Sequence, residues 1–166
     1  MKILDGHFYY ISDQYFVDFP DNKLMQNKKA INGRPHNRPC FYAFLDDNTG
    51  LFWMIPISSQ VKKYKKYFDA KILKYGKCDT LVFGKVLGFE KAFLIQNMCP
   101  ITQKYIKNEY IDNKRLIPVR INKELELELI TKAKKVLALQ HNGVNLIFPD
   151  VIKIEKILLN VGMENN

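Results

Sequence analysis

Two apolar, aromatic-rich runs joined by a polar turn constrain the fold of this chain more than any other feature. The first extends from Cys40 to Leu45 and the second from Leu51 to Ile57. Between them stands Asp46-Asp-Asn-Thr-Gly50, whose residue types favour a tight reversal of the chain. The pattern predicts an antiparallel hairpin. We expect Pro56 and the hydroxyl residues after it to end the second strand.

Short strands and amphipathic helices alternate along the rest of the chain. β-type runs predict strands at Phe8 to Ile11, Leu81 to Phe83, Ala92 to Gln96 and Leu116 to Arg120, with Gly84 to Lys91 as a connection. Capping and stop signals predict helices from Ser12-Asp13 through Phe16, from Val61 to Tyr75, from Asn122 to about Gln140, and after Phe148-Pro149-Asp150. The polar stretch from Pro20 to Pro39 is expected to be a long surface loop.

These elements predict one α+β domain, residues 1-166, with a small, strongly bent antiparallel sheet and three or more packed helices. In the helix from Val61 to Tyr75 the apolar residues form one stripe, predicted to face the core: Val61, Tyr64, Phe68, Ile72 and Tyr75. In the last helix the predicted core positions are Val151, Ile154, Ile157 and Leu158.

The composition is that of a globular protein, and we expect it to stay in the cytoplasm. Apolar residues make up 47% of the 166 positions and charged residues 26%. The sequence contains no apolar run long enough to span a membrane, and its N-terminus lacks the apolar core of a signal peptide. The three cysteines, Cys40, Cys78 and Cys99, are widely spaced, so we expect buried free thiols.

The chain is basic, with a formal net charge of +9, and the charge is concentrated in one predicted helix. From Gln60 to Lys77 seven lysines stand against one acid, Asp69, which gives this segment a charge of +6. A solvated helix face would account for such a run by itself. This run, however, directly follows Ser58 and Ser59, and phosphate groups are contacted chiefly by cations and hydroxyls. We therefore predict that the segment contacts RNA.

The chemistry that the sequence lacks narrows the function further. It contains no phosphate-binding glycine loop, no dinucleotide fingerprint and no set of cysteines and histidines with zinc-site spacing. The acids that could bind magnesium, Asp18 with Asp21 and Asp46 with Asp47, lie in loops where aspartate is a common turn former. A reaction without metal is left, and RNA permits one because its own 2′-hydroxyl can attack the adjacent phosphorus. The sequence therefore favours an RNA-cutting enzyme.

Three motifs in the first hundred residues resemble those of a known family, in the same order. They are Phe8-Tyr-Tyr-Ile-Ser-Asp-Gln-Tyr15, Ile55-Pro-Ile-Ser-Ser59 followed by lysines, and Phe93-Leu-Ile-Gln-Asn-Met98 followed by Pro100. The chain is similar in these to the toxin endoribonucleases of type III toxin-antitoxin systems, the group of ToxN, AbiQ, CptN and TenpN, and leans toward the CptN or TenpN branch. The second motif resembles the family's Pro-Leu-Thr-Ser strand end, with Ser-Ser in place of Thr-Ser.

The resemblance implies a bent barrel like that of MazF or Kid, with added helices, which cuts single-stranded RNA without metal or cofactor and serves in phage defence. It also implies a partner, a small folded antitoxin RNA made of repeats, which the toxin processes and binds in a closed protein-RNA assembly. Ser58 and Ser59 would hold the scissile phosphate, and Tyr15 would approach the base or ribose.

Motif and residue chemistry together assign the remaining roles. His36 is the predicted general base or acid, because its ordinary pKa suits proton exchange near neutrality. Arg38 would neutralise the phosphorane, with Lys62 assisting, and Arg34 would grip a flanking phosphate. Further RNA contacts are predicted at Lys63, Lys65, Lys66 and Tyr67. The family's lysine at the start of the first hairpin strand has no clean match in His36-Asn-Arg38-Pro39, and its lysine after the hydroxyl pair is displaced by one, to Lys62. These departures leave the proton-transfer group open.

Each part of this site can also be explained without a role in RNA cleavage. His36 would then be a plain loop residue, Arg34 would be solvated, and Ser58 with Ser59 would cap the lysine-rich helix. The alternative function is a non-catalytic RNA-binding or interaction module on the same fold. A third possibility is a DNA-binding accessory protein, although we expect no DNA partner. His7 and His141 are predicted to be structural or exposed.

Overall fold

The computed structural model describes the backbone of residues 1–26, 29–31 and 34–164, and the side chains of residues 1–26 and 37–162. Four α-helices are present in this part of the chain: α1 (Asp13–Asp18), α2 (Val61–Tyr75), α3 (Lys123–His141) and α4 (Val151–Glu164). The strands are β1 (Phe8–Ile11), β2 (Lys29–Ile31), β3 (Arg34–His36), β4 (Pro39–Asp46), β5 (Leu51–Ser58), β6 (Leu81–Val86), β7 (Phe89–Leu94), β8 (Cys99–Ile101), β9 (Ile106–Glu109), β10 (Ile111–Asp112) and β11 (Ile117–Pro118). The predicted α+β class is confirmed.

The predicted aromatic hairpin forms the centre of a seven-stranded antiparallel sheet. Strands β4 and β5 pair from Cys40 opposite Pro56 to Asp46 opposite Leu51. The sheet continues in the order β6-β7-β5-β4-β1-β9, and β8 also pairs with β5. Pro56 lies inside β5 rather than ending it, and the strand extends to Ser58.

One edge of β5 is shared by two strands. Residues 52–54 of β5 pair with β8, whereas Ile57 and Ser58 pair with Phe93 and Ala92 of β7. A 3-10 turn at Ile95–Asn97 connects β7 to β8. This turn interrupts what would otherwise be one continuous strand, so the β6–β7 hairpin and β8 leave β5 at different points.

The sheet of the described residues is open, so the predicted bent barrel of the MazF or Kid type is not closed in this chain. Closure needs the two outermost strands to pair, and among the described residues β6 and β9 end the strand order at opposite sides without meeting. Helix α3 packs against β6 instead, where Leu125 lies directly over Gly84. The helix therefore covers one face of β6 at Gly84.

Both faces of the central hairpin are buried, because side chains alternate between two hydrophobic clusters. Phe41 and Ile55 point to the cluster that contains the buried face of α3, whereas Tyr42 and Met54 point to the cluster that contains residues of α1 and α4. A strand buried on both faces has no polar alternation. This explains why the two runs in the sequence are apolar throughout.

Helix boundaries follow the sequence signals closely. Helix α2 has the predicted bounds, with Gly76 as its left-handed C-cap at φ 74°. The Asn122 side chain accepts a hydrogen bond from the Leu125 amide and begins α3 as predicted, and α4 follows Asp150. Ser12 caps α1, which extends two residues past the predicted end at Phe16. Of the predicted core positions in α4, Ile157 is exposed and the others are buried.

Strand boundaries are less well predicted. The predicted connection from Gly84 to Lys91 is mostly strand, and its reversal occupies only Leu87 and Gly88, both at positive φ. The predicted loop from Pro20 to Pro39 contains the small hairpin β2–β3. Strands β8 and β9 carry no clear signal in the sequence, and the strand predicted at Leu116 to Arg120 is reduced to β11.

All three cysteines are buried free thiols, as predicted. None of the helices in the described ranges has both the length and the apolar character needed to cross a membrane.

The close approach of α3 to β6 predicts that Gly84→Ala destabilises the fold. A Cβ at Gly84 would stand 2.2 Å from Leu125 Cδ2, so helix and strand must separate or the leucine must leave its rotamer. Overpacking of this kind costs about 1–3 kcal/mol. Urea unfolding should show that loss as a lower midpoint.

Gly162→Ala in α4 is the matched control, because a Cβ there would meet no atom within 4 Å. It should leave the midpoint unchanged or raise the free energy of unfolding by about 0.5–1 kcal/mol, since alanine favours the helix. Equal midpoints for the two variants would show that the helix does not pack on the strand this closely.

Candidate functional site

The end of β5 brings a guanidinium group next to the serine pair. Because Cys40 pairs with Pro56, the segment that precedes β4 passes beside the last residues of β5. The Arg38 Nη1 atom donates a hydrogen bond to the Ile57 carbonyl at 2.7 Å. Arg38 therefore lies beside the residue that precedes Ser58, as the sequence pattern led us to expect.

Arg38 has donor capacity that the described part of the protein does not use. Its Nε atom is buried and has no hydrogen-bond partner there. An arginine stays charged and carries five N–H donors in a fixed fork. A buried donor without an acceptor costs about 1–3 kcal/mol. The charge of the guanidinium favours an anion bound close to it.

Both serine hydroxyls are held as acceptors. The Ser58 Oγ atom is nearly buried, with a residue exposure of 6%, and accepts the Gln60 amide hydrogen bond at 3.1 Å. Ser59 is exposed, and its Oγ accepts a hydrogen bond from Lys91 Nζ at 2.7 Å. Each hydroxyl hydrogen is thereby left free to donate to a further group.

The alternative that these serines cap α2 does not fit the geometry. The N-cap residue of α2 is Gln60, which makes no side-chain capping hydrogen bond. Ser58 closes a local turn ahead of the helix, and Ser59 is directed toward β7. Helix α2 also has no acid in its first turn, so its N-terminus and the lysines that follow form a region of positive potential.

Lys91 is a neighbour of the serine pair that sequence reasoning missed. It lies in β7, next to Ala92, the residue that pairs with Ser58. Lys91 is thirty-two residues from Ser59 in the sequence, and the pairing of β5 with β7 brings its ammonium group to the Ser59 hydroxyl. In the sequence Lys91 ends a segment that we predicted to be a connection, and no local signal marked it.

The lysines of α2 differ in whether their ammonium groups already contact other side chains of the protein. Lys65 Nζ lies 4.9 Å from the centre of the Phe68 ring, and Lys71 Nζ donates to Thr80 Oγ1 at 2.7 Å. Lys63 Nζ stands 5.3 Å from the centre of the Tyr64 ring. Lys62 and Lys66 are exposed, and no acid in the described ranges pairs with them. The latter two are the least restrained cations beside the serine pair.

The predicted apolar stripe of α2 is only partly correct. Tyr64 is buried and Phe68 partly so, whereas Ile72 and Tyr75 at the far end are exposed. Tyr67 is 52% exposed, with its ring centre 6.3 Å from that of Tyr64. The second half of α2 therefore extends beyond the core.

Tyr15 has a structural role, and its predicted contact with RNA is wrong for this structure. The side chain is fully buried, and its hydroxyl donates to the Pro100 carbonyl at 2.8 Å. The ring packs against Phe19 and Tyr105, with centres 4.9 and 5.3 Å away. Burial raises the pKa of Tyr15 well above its usual value. A base or ribose has no access to this side chain.

His36 and Arg34 lie in β3, whose pairing with β2 sets His36 opposite Lys29 and Arg34 opposite Ile31. Their side chains fall outside the described part of the structure, so the roles predicted for them stay predictions. The other two histidines are paired with acids: His7 Nδ1 with Glu109, and His141 Nε2 with Glu155 at 2.9 Å.

The cysteines are poor candidates for a nucleophile. Burial raises the pKa of Cys99 to about 12 and that of Cys40 still further. The thiolate is the reactive form of cysteine, and it is scarce at neutral pH when the pKa is raised. The chemistry available at the end of β5 is therefore that of cations and hydroxyls.

Comparison with known proteins supports the fold. No protein-family model matches the sequence, and no curated protein is significantly similar to it. Among solved structures, the chain is similar to AbiQ, described as a lactococcal anti-phage endoribonuclease belonging to the type-III toxin-antitoxin system. The match covers 95% of this chain and 98% of the AbiQ chain, with a TM-score of 0.65 and 15% sequence identity. The resemblance found in the sequence motifs is thus confirmed as a likeness of fold.

Proposed function

We propose that this protein is the endoribonuclease toxin of a type III toxin-antitoxin system, and that it cuts single-stranded RNA at the end of β5. The observation that carries the proposal is the convergence of the Arg38 guanidinium and the Lys91 ammonium on the residues around Ser58 and Ser59. The fold likeness to AbiQ along nearly the whole chain supports it.

The reaction needs only groups that this chain offers. A general base takes the proton of the 2′-hydroxyl, the 2′-oxygen forms a bond to phosphorus, and the bond from phosphorus to the 5′-oxygen breaks. A general acid gives the leaving 5′-oxygen its proton. The products are a 2′,3′-cyclic phosphate and a 5′-hydroxyl, and no metal takes part in this mechanism. The protein has to align the three atoms and stabilise the added negative charge.

Arg38 and the serines are suited to stabilising the phosphorane. The Arg38 guanidinium and the hydroxyl groups of Ser58 and Ser59 would donate to its non-bridging oxygens. Lys91 holds the Ser59 oxygen in place, and Lys62 adds positive charge one turn away. These donors are in position before substrate binds, so little reorganisation is needed during the reaction.

Proton transfer is assigned to His36, with a lysine as the alternative. The ordinary pKa of histidine allows both protonation states near neutral pH. The exposed lysines of α2, together with Arg34, would bind flanking phosphates. Lys63, Lys65 and Lys66 would hold the strand by charge, and Tyr67 would stack on a base.

The purified protein should cut a mixed single-stranded RNA in EDTA and leave 2′,3′-cyclic phosphate ends, because the substrate supplies the nucleophile. Mapping the fragment ends by sequencing measures cleavage. An oligonucleotide with 2′-deoxyribose at the cut position should remain intact. RNA that is bound but uncut at every protein concentration would favour the non-catalytic RNA-binding module. Equal affinity for DNA would favour a DNA-binding protein.

Single-turnover rates of three variants should rank the groups of the site. Arg38→Met should lower the rate by about 10²–10³, the loss expected for one transition-state donor. His36→Ala should lower it by about 10²–10⁴ and change the pH profile near the ordinary pKa of histidine. Lys91→Met should lower it by about 10² through misplacement of Ser59, and Lys91→Arg should restore part of the rate.

Lys85→Met is the matched control for Lys91→Met. Lys85 is exposed on the same hairpin, and it pairs with Glu90, so it lies on the face opposite Lys91. Its rate should equal that of the wild type. Equal rates for the two lysine variants would remove Lys91 from the site, and an unchanged rate for His36→Ala would move proton transfer to a lysine.

We further propose that the natural inhibitor is a small folded RNA made of repeats, which the protein processes and binds in a closed protein-RNA assembly. Positive charge on the surface around the site suits such a partner, because each neutralised phosphate contributes affinity that does not depend on sequence.

Expression of the protein alone should therefore arrest bacterial growth, and the double change Ser58→Ala with Ser59→Ala should relieve the arrest. RNA transcribed from short tandem repeats upstream of the gene should restore growth with the wild type and co-purify with it. Growth arrest that this RNA does not relieve would contradict the antitoxin part of the proposal and leave the nuclease part standing.

A further inference from the structure

A cavity of about 340 Å³ lies beside α2, the helix that follows the serine pair. We refer to it as the α2 cavity. Its walls come from α2, from the 3-10 turn between β7 and β8, from the segment before α4 and from the loop before β2. It is lined mainly by Lys63, Tyr67, Lys71, Gln96, Asn97 and Phe148.

The floor of the α2 cavity is polar and almost completely buried. Gln96 and Asn97 are 5% and 7% exposed. The main chain of Gln96 is fully used, since its amide donates to the Thr80 carbonyl and its carbonyl accepts from the Phe148 amide. Its side-chain amide, in contrast, has no hydrogen-bond partner among the described residues. Asn97 Nδ2 donates to the Lys23 carbonyl at 2.9 Å, and within the described ranges its second N–H and its oxygen have no partner.

The walls of the α2 cavity are aromatic and its rim is positive. Tyr67 and Phe148 are 52% and 53% exposed, so each presents a ring to the opening. Lys63 and Lys71 stand on the same face of α2, and Lys71 is anchored to Thr80. Aromatic rings beside buried amides and flanking cations match the parts of a nucleotide: a flat base, a hydrogen-bonding edge and a phosphate.

We propose that the α2 cavity binds one unpaired nucleobase of the RNA and selects it by its hydrogen-bonding edge. This inference rests on the proposed function, which it extends to base specificity. Lys63 and Tyr67 lie four and eight residues after Ser59, so the bound base would belong to a nucleotide near the cut. An apolar side chain of a protein partner would leave the buried amides unpaired, which is costly.

The test uses the four nucleoside 5′-monophosphates as probes, with ribose 5-phosphate as the control that lacks a base. Binding is followed by saturation-transfer NMR and titration on the full-length protein. One nucleotide should bind at least about tenfold more tightly than ribose 5-phosphate, as expected when base edge and stacking both contribute. Tyr67→Ala and Phe148→Ala should abolish that difference, and Gln96→Leu should remove the preference among bases.

Tyr75→Ala is the matched control, because Tyr75 is a second exposed tyrosine of α2 that does not line the cavity. It should bind like the wild type. Gln96 is buried, so thermal unfolding must show that the Gln96→Leu variant is folded. Tyr67 and Phe148 are half-exposed, so their variants should fold and test the cavity even if Gln96→Leu does not fold. Ribose 5-phosphate binding as tightly as all four nucleotides, or wild-type binding by both aromatic variants, would overturn the inference.

A cleavage measurement separates this inference from the proposed function. In a random RNA pool, the wild type should show a base preference next to the cut, and the cavity variants should cut with that preference reduced by about five- to a hundredfold. A wild type that binds one nucleotide but cuts no RNA would refute the nuclease and leave the base-binding cavity. A wild type that cuts with a base preference that every variant retains would refute the cavity alone.

Discussion

The pairing of β4 with β5, buried on both faces, is the constraint on which the rest of the structure depends. Each strand sends alternate side chains into two separate hydrophobic clusters, and a fully buried large apolar side chain contributes about 1.5–3 kcal/mol. A slip of one residue would exchange the two sets of side chains between clusters of different shape. The register is therefore fixed, and with it the position of Arg38 beside Ile57 and Ser58.

The candidate site is built where this rigid ladder ends. Stable strands supply the position, and the residues just outside them supply the chemistry: Arg38 before β4, Ser58 and Ser59 at the end of β5, and Lys91 in the neighbouring strand. The buried Nε–H of Arg38, which has no partner among the residues that the structure describes, is a cost that the ladder can sustain. Binding groups placed at the ends of rigid elements are held more precisely than groups within long loops.

The parts of this fold that could be predicted from the sequence are those specified by local signals. The hairpin has its turn residues, α2 its terminal glycine and α3 its Asn122 cap, and each of these predictions is confirmed. Arg38 and the serines could be brought together because a hairpin fixes which residues lie opposite one another.

The parts that could not be predicted depend on contacts distant in sequence. Lys91 reaches Ser59 only through the pairing of β5 with β7, and the short β8 and β9 are strands only because longer neighbours pair with them. Tyr15 stands in a motif that we interpreted as similar to that of RNA-cutting proteins, yet its burial follows from packing against Tyr105, ninety residues later. The α2 cavity likewise joins four segments that no single stretch of sequence contains.

The divided edge of β5 has a mechanical consequence. The β6–β7 hairpin pairs with β5 at Ile57 and Ser58, so it joins the sheet at the end of the strand that carries the serine hydroxyls. Phe93 and Ala92 are fully buried at this attachment, so the hairpin is anchored by the core as well as by its two pairs with β5. Any displacement of the hairpin that moved the Lys91 ammonium away from Ser59 would have to draw Phe93 out of the main hydrophobic cluster. The contact between the two polar side chains is therefore maintained by apolar packing on the other residues of the same strand.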